Sequence, residues 1–304
     1  MAQADSTSKG LLLVARKQTY IAATVTFIVS FAMVAIFLAF VENQRMESGR
    51  LNAELLAQSY AQRIQDRLQS ALTAAYVVGA AVRQSHGKLE NFDDLAADVM
   101  ANFPAVSAVQ LAPDGIITQC FPLRGNEAAI GHNLLKDRDR NREAQIAIAT
   151  KRLTMAGPFD LVQGGVGAVA RLPVFLDGKE EQTFWGFATV LIRIPSLLDA
   201  TGIGDLQKSG YDFEIWRSKP DSDERYVFAR HGSAPPMQPV EYSITVPNGR
   251  WILSLSPTGG WSNVSGFLRA LIISLLVASA IAGLQAFGTQ SYLRALARAQ
   301  NAGG

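Results

Sequence analysis

Two stretches of the chain carry no charge at all. Gln18–Val41, QTYIAATVTFIVSFAMVAIFLAFV, runs for 24 positions without an acidic or basic side chain, and about 20 apolar residues suffice to cross a bilayer as helix. A second uncharged run lies between Arg269 and Arg294 and is most apolar from about Ala270 to Phe287. A cleaved signal peptide fits the first run poorly, because the apolar core is longer than the roughly 7–15 residues usual there and no small-x-small cleavage site follows. Lys9, Arg16 and Lys17 precede the first run; Arg294 and Arg298 follow the second. Basic residues mark cytoplasmic flanks, so both tails are expected inside and residues 42–266 outside. The expected division is a tail over 1–17, a span over 18–41, the outside segment, a span over 267–288 and a tail over 289–304.

Between the spans the periodicity changes five times. Residues 44–84 contain no proline, and Ala57, Ala61, Ile64, Leu68, Ala71, Ala75, Val78 and Val82 recur at alternating steps of four and three. That is a heptad seam on one long helix, a stalk over 42–84 that packs either on its own domain or on a second stalk. NFDDLAADVMANFP predicts a second helix, with Asn91 as N-cap, Asp93 and Asp94 in the first turn and Pro104 as the stop. VSAVQLAPDGIITQCFPL predicts two strands about a Pro113-Asp114-Gly115 turn. DRDRNREAQIAIATKR predicts a third helix. A meander follows: strands over 153–163, 166–175 and 182–192, with turns at Gly164-Gly165 and Asp177-Gly178. Residues 195–206 read as a short helix, YDFEIW and RYVFAR as strands, and VEYSITVPNGRWILSLSP as a hairpin turning at Asn248-Gly249. The fold class is α+β: a helical stalk beside one or two antiparallel sheets.

Composition narrows the chemistry. A net charge of +2 gives no electrostatic case for nucleic acid. One cysteine, Cys120, forms no internal disulfide or thiolate metal set, and its apolar neighbours favour a buried inert thiol. His86, His132 and His231 are isolated, so no metal site is expected. Asp137, Asp139 and Asn141 mimic the start of a calcium loop, but Arg142 stands where glycine is needed and Ile148 where glutamate is needed. The glycines of GPFDLVQGGVGAVARLPVF suggest a phosphate loop; the residues after them read as strand, with Pro173, and not as the helix such a loop requires. No catalytic residue and no cofactor are expected.

VQLAPDGIITQCFPLRGNEAAIGHNLL resembles CHASE domains, the extracytoplasmic sensory domains of bacterial receptors and plant cytokinin receptors. The matching features are Pro113-Asp114-Gly115, Phe121-Pro122, Gly125-Asn126-Glu127 and Gly131-His132. Gly157-Pro158, Gln163-Gly164-Gly165 and Arg171-x-Pro173-Val174-Phe175 resemble a second block; Trp185-Gly186-Phe187 with Val190-Leu191-Ile192 resembles a third. The resemblance implies two PAS-like antiparallel-sheet subdomains beside the stalk, a distal one over 90–200 and a proximal one over 201–260. It implies a small-molecule ligand in the distal part and a homodimer through the stalk helix. It also implies a kinase or cyclic-nucleotide or cyclic-di-GMP output domain in the cytoplasm, before which the tail over 289–304 is expected to stop. The setting would be a two-pass protein of a bacterial inner membrane. Phe159, Ala170, Arg171, Trp185 and Thr189 are the ligand-site candidates by position. Cytokinin itself is not implied, since the family's pocket threonine corresponds to Ala170 and its aspartate has no counterpart. An envelope interaction protein that binds another protein, and an extracytoplasmic enzyme, are the alternatives.

Overall fold

The structure, a computed structural model, describes residues 2–137, 141–161, 164–178, 181–219, 222–261 and 264–302. Asp139 of the calcium-like run, and Val162 and Gln163 at the end of the first meander strand, lie outside them. The chain forms two compact units, Met1–Arg50 with Trp261–Gly304, and Leu51–Gly260.

The first unit is built from two helices. Helix α1 covers Ala2–Gln84 and contributes its N-terminal part; α6 covers Val264–Ala302. Both are long and apolar enough to cross a membrane. Their large apolar side chains point outward, among them Met33, Ile36, Phe37, Leu284 and Phe287. Hydroxyls within the apolar stretches bond back to their own helix, Thr24 Oγ1 to the Tyr20 carbonyl (2.9 Å) and Ser274 Oγ to the Ala270 carbonyl (2.8 Å), which satisfies each donor without a partner from outside the helix. Arg50 lies over the Trp261 ring, 5.0 Å from its centroid.

The second unit carries the rest of α1, then α2 (Phe92–Asn102), β1 (Ala108–Pro113), β2 (Gln119–Phe121), a 3-10 turn (Glu127–Ala129), α3 (Arg142–Thr150), β3 (Thr154–Asp160), β4 (Val166–Asp177) and β5 (Gln182–Arg193). Two short helices, α4 (Ile194–Asp199) and α5 (Asp205–Lys208), lead to β6 (Tyr211–Ser218), β7 (Arg225–His231), β8 (Val240–Val246) and β9 (Gly249–Pro257). They make two antiparallel sheets, ordered β2-β1-β5-β4-β3 and β7-β6-β9-β8. The architecture is α+β with two PAS-like sheets beside a long helix.

All eight residues of the heptad seam are buried, none more than 1% exposed, within the single chain. A Cβ on Gly79 would lie 2.6 Å from Leu172 Cδ2 of β4, and the Thr245 N–H of β8 donates to Gln65 Oε1 at 3.0 Å. Each sheet therefore touches the stalk, and the seam packs on its own domain. Of the two packings the heptad spacing left open, the single chain shows the first: the apolar stripe is covered by its own domain. Leu51, Leu55 and Tyr76 stay exposed on other faces of the helix.

Several ends differ from the sequence reading. Asn91 makes no side-chain cap bond. Val246 pairs with Gly249, so the last hairpin turns at Pro247-Asn248 and Gly249 belongs to the strand. Asp177 pairs with Gln182, and Gly178 N–H donates to the Glu181 carbonyl, so the connection is longer than the two residues Asp177-Gly178. Gly164 and Gly165 do turn the chain, at φ +86° and +77°, between the Asp160–Val166 pair. At the two displaced hairpins cross-strand pairing, and not the local glycine, sets where the strand ends.

Candidate functional site

The five-stranded sheet is buried on both faces. On the stalk side β4 presents Ala168, Ala170, Leu172 and Val174. On the other side one polar residue from every strand falls into a single row. Cys120 of β2 pairs with Gln110 of β1, Gln110 with Thr189 of β5, Thr189 with Arg171 of β4, and Arg171 with Thr154 of β3. All five are buried, between 0% and 6% exposed. Burying such groups is costly unless they are bonded. Thr189 Oγ1 donates to Gln110 Oε1 (3.0 Å) and the Gln110 amide donates to Cys120 Sγ (3.7 Å). Thr154 Oγ1 donates to the Glu143 carbonyl of α3 at 2.8 Å, which puts α3 over this face. Burial pushes the Cys120 thiol above its ordinary pKa, more than the Gln110 bond lowers it.

Apolar clusters flank the row on both sides. Two positions along one way are Ala112 and Phe187, packed with Ala144 and Ala147 of α3, Ile117, Ala129 and Leu134. Two positions the other way are Ala108 and Leu191, packed with Leu161 and Cys120. The result is a strip of amide, hydroxyl and guanidinium between two apolar walls. Few polar groups set among apolar ones is how small-molecule sites are composed.

Of the residues expected at a site, Arg171 and Thr189 meet in this row. Phe159 lies beside it, half-buried with Val169 against the cluster of Ala108, Leu161 and Leu191. Ala170 faces the stalk side. Trp185 is apart from the row: its indole packs where a Cβ on Gly87 would be. Gln110, Thr154 and Cys120 join the row without having been singled out as ligand contacts. The one available signal was Gln110, a lone polar residue in the run AVQLA.

The Gly125-Asn126-Glu127 block is a loop clamp. Gly125 N–H donates to Glu127 Oε2 (2.9 Å) and Asn126 Nδ2 to the Pro122 carbonyl (2.9 Å). Its own backbone N–H, and after it that of Gly125, hold the exposed Glu127 carboxyl below its ordinary pKa. His132 Nε2 lies 3.2 Å from Asp137 Oδ2.

The four-stranded sheet has a polar row as well. Arg230, Glu214, Ser254 and Glu241 are cross-strand neighbours. Glu214, 2% exposed, is paired with Arg225 at 2.9 Å and Arg230 at 2.5 Å. Ser254 Oγ accepts from Trp216 Nε1 (2.9 Å) and donates to Glu241 Oε1 (2.8 Å). Arg225 also covers the Trp216 ring at 4.4 Å. This network bonds to itself and reads as the outer lock of the sheet.

The CHASE domain family model matches residues 50–228, more than half of the chain. No curated protein matches it at a significant level. An extracellular ligand binding receptor from Desulfohalobium retbaense is similar in structure, with a TM-score of 0.53 at 12% identity; the likeness spans 67% of this chain and 40% of that one. The sensory domain of the Campylobacter jejuni chemoreceptor Tlp3 matches at TM-score 0.47 and 15% identity, over 73% and 98% of the two chains. The V. cholerae histidine kinase DctB sensor domain matches at 0.35 and 13%, over 74% and 97%.

Proposed function

The chain belongs to the CHASE domain family, and from that premise we propose that it is the sensory part of a two-pass receptor of a bacterial inner membrane. Residues 42–266 lie outside and bind a small ligand over the polar row of the five-stranded sheet. The observation that carries this reading is the row itself, Gln110, Thr189, Arg171 and Thr154 buried between two apolar clusters. A ligand there needs groups that complement an amide, hydroxyls and a guanidinium. It shifts the sheet against the stalk and biases two arrangements of α1 and α6, a population shift. The signal leaves through α6 to a kinase or cyclic-nucleotide or cyclic-di-GMP enzyme in the cytoplasm. Two chains pair through a face of the stalk other than the filled seam.

The test is a thermal-shift screen of the full chain in detergent against a metabolite panel, since a ligand of the folded state raises its stability by mass action. A hit weakened by Thr189→Val supports the reading. A second reading, an envelope protein that binds another protein, draws on the depth of the row, whose side chains are at most 6% exposed. A panel without hits, together with capture of a specific envelope partner, favours it.

A further inference from the structure

A cleft of about 320 Å³ opens between the two sheets, next to the Thr154 end of the polar row, since Glu143 and Met155 line it. The first turn of α3, β3, the end of β6 and the β8–β9 hairpin enclose it. Its charged lining is unbalanced: Arg142, Arg217, Lys219 and Arg250 against one carboxylate, Glu143. Lys219 is turned to Glu224 at 2.6 Å. Arg217 is half-buried, stacked over Tyr226 at 5.2 Å. Its Nη1 and Nη2 donate to the carbonyls of Ser218 (3.1 Å) and Pro158 (3.3 Å), which satisfy donors without cancelling charge. Its Nε is buried and has no hydrogen-bond partner among the described residues. Burial pulls the Arg217 pKa below its ordinary value, against the opposing pull of Glu143. Ile146, Met155, Val246 and Trp251 supply an apolar wall.

We propose that this cleft is a second ligand site, selective for a small organic anion whose carboxylate or phosphate head meets Arg217 and Arg250 and whose body lies on Met155 and Trp251. The volume is in the range of small-molecule pockets. A half-buried guanidinium whose Nε has no hydrogen-bond partner among the described residues is matched by an oxyanion, and a planar fork favours two-oxygen heads. The site also has leverage. Among the described residues, the bonds seen to cross between the sheets here are Met155 N–H to Asn248 Oδ1 (2.8 Å) and Arg217 Nη2 to the Pro158 carbonyl. An anion held by β6 and β9 on one side and α3 on the other couples the two sheets, independently of a ligand on the polar row.

The test is calorimetric titration of the full chain in phosphatidylcholine nanodiscs with phenyl phosphate, benzoate and inorganic phosphate at physiological salt. Saturable binding of phenyl phosphate or benzoate is expected, and the tighter of the two identifies the head group. Arg250→Gln, at an exposed position where folding is not at stake, weakens it by roughly ten-fold or more, and Thr189→Val leaves it unchanged. Circular dichroism confirms that the variants are folded. Absence of saturable binding by both aromatic probes overturns the proposal, as does binding untouched by Arg250→Gln or binding lost in Thr189→Val.

Discussion

Arg171 and Thr189 stand directly opposite each other on β4 and β5, a guanidinium and a hydroxyl both buried at the centre of the five-stranded sheet. Directly paired side chains in a sheet lie within contact range, and this pair joins the two halves of the polar row. Thr189→Val keeps the shape and removes the donor to Gln110. A buried acceptor stripped of its partner costs about 1–3 kcal/mol. Chemical denaturation of the full chain is expected to show that loss.

Gly186 sits in β5 at φ +150°, where a Cβ would collide with the Ala112 carbonyl and lie 2.7 Å from Pro113 Cα. Both obstacles are backbone and cannot swing aside. Gly186→Ala is expected to pry β5 from β1 and cost more than about 2 kcal/mol, read as a lowered melting temperature and faster proteolysis.

Glu214 anchors Arg225 and Arg230 while itself 2% exposed. The arginines are partly in water, which moderates their part. Glu214→Ala is expected to cost about 1–3 kcal/mol. Because the carboxylate is buried, molar salt should leave most of the difference in place, and denaturation at low and high salt checks this.

These features were legible to different degrees. The heptad seam could be read because every member is apolar at helical spacing. What fills the seam could not, since a stripe of alanines fits a second stalk as well as a sheet. The polar row was half hidden for a related reason. Both faces of the five-stranded sheet are buried, so β4 and β5 read as nearly continuous apolar runs. Without the register, nothing says that Arg171 and Ala170 face opposite ways, or that Gln110 and Thr154 lie in line with Thr189. The turn at Pro247-Asn248 was displaced by one residue because Asn-Gly is the stronger local signal and pairing overrode it.

Cys120 offers a pH test. Burial favours its neutral thiol in the folded chain, so the folded state holds this proton more tightly than the unfolded one. Stability is then unaffected at neutral pH and falls as pH rises through the ordinary thiol range of about 8.5 and above. Cys120→Ser should flatten that alkaline fall. In the native protein, iodoacetamide labelling at neutral pH should be far slower than in denaturant.

Orientation is open to labelling, since the only native cysteine is buried. Asp94→Cys places a thiol on the exposed face of α2. In intact bacterial cells a membrane-impermeant maleimide should label it without lysis. Labelling only after lysis would reverse the assigned topology.

The most direct measurement is hydrogen–deuterium exchange of the full chain in nanodiscs with and without a small molecule identified by thermal shift. Protection centred on β1, β4 and β5 around Gln110, Arg171 and Thr189, and lost in Thr189→Val, is the predicted result. A ligand that stabilises the chain while leaving those strands unprotected would contradict a sensory site on the polar row.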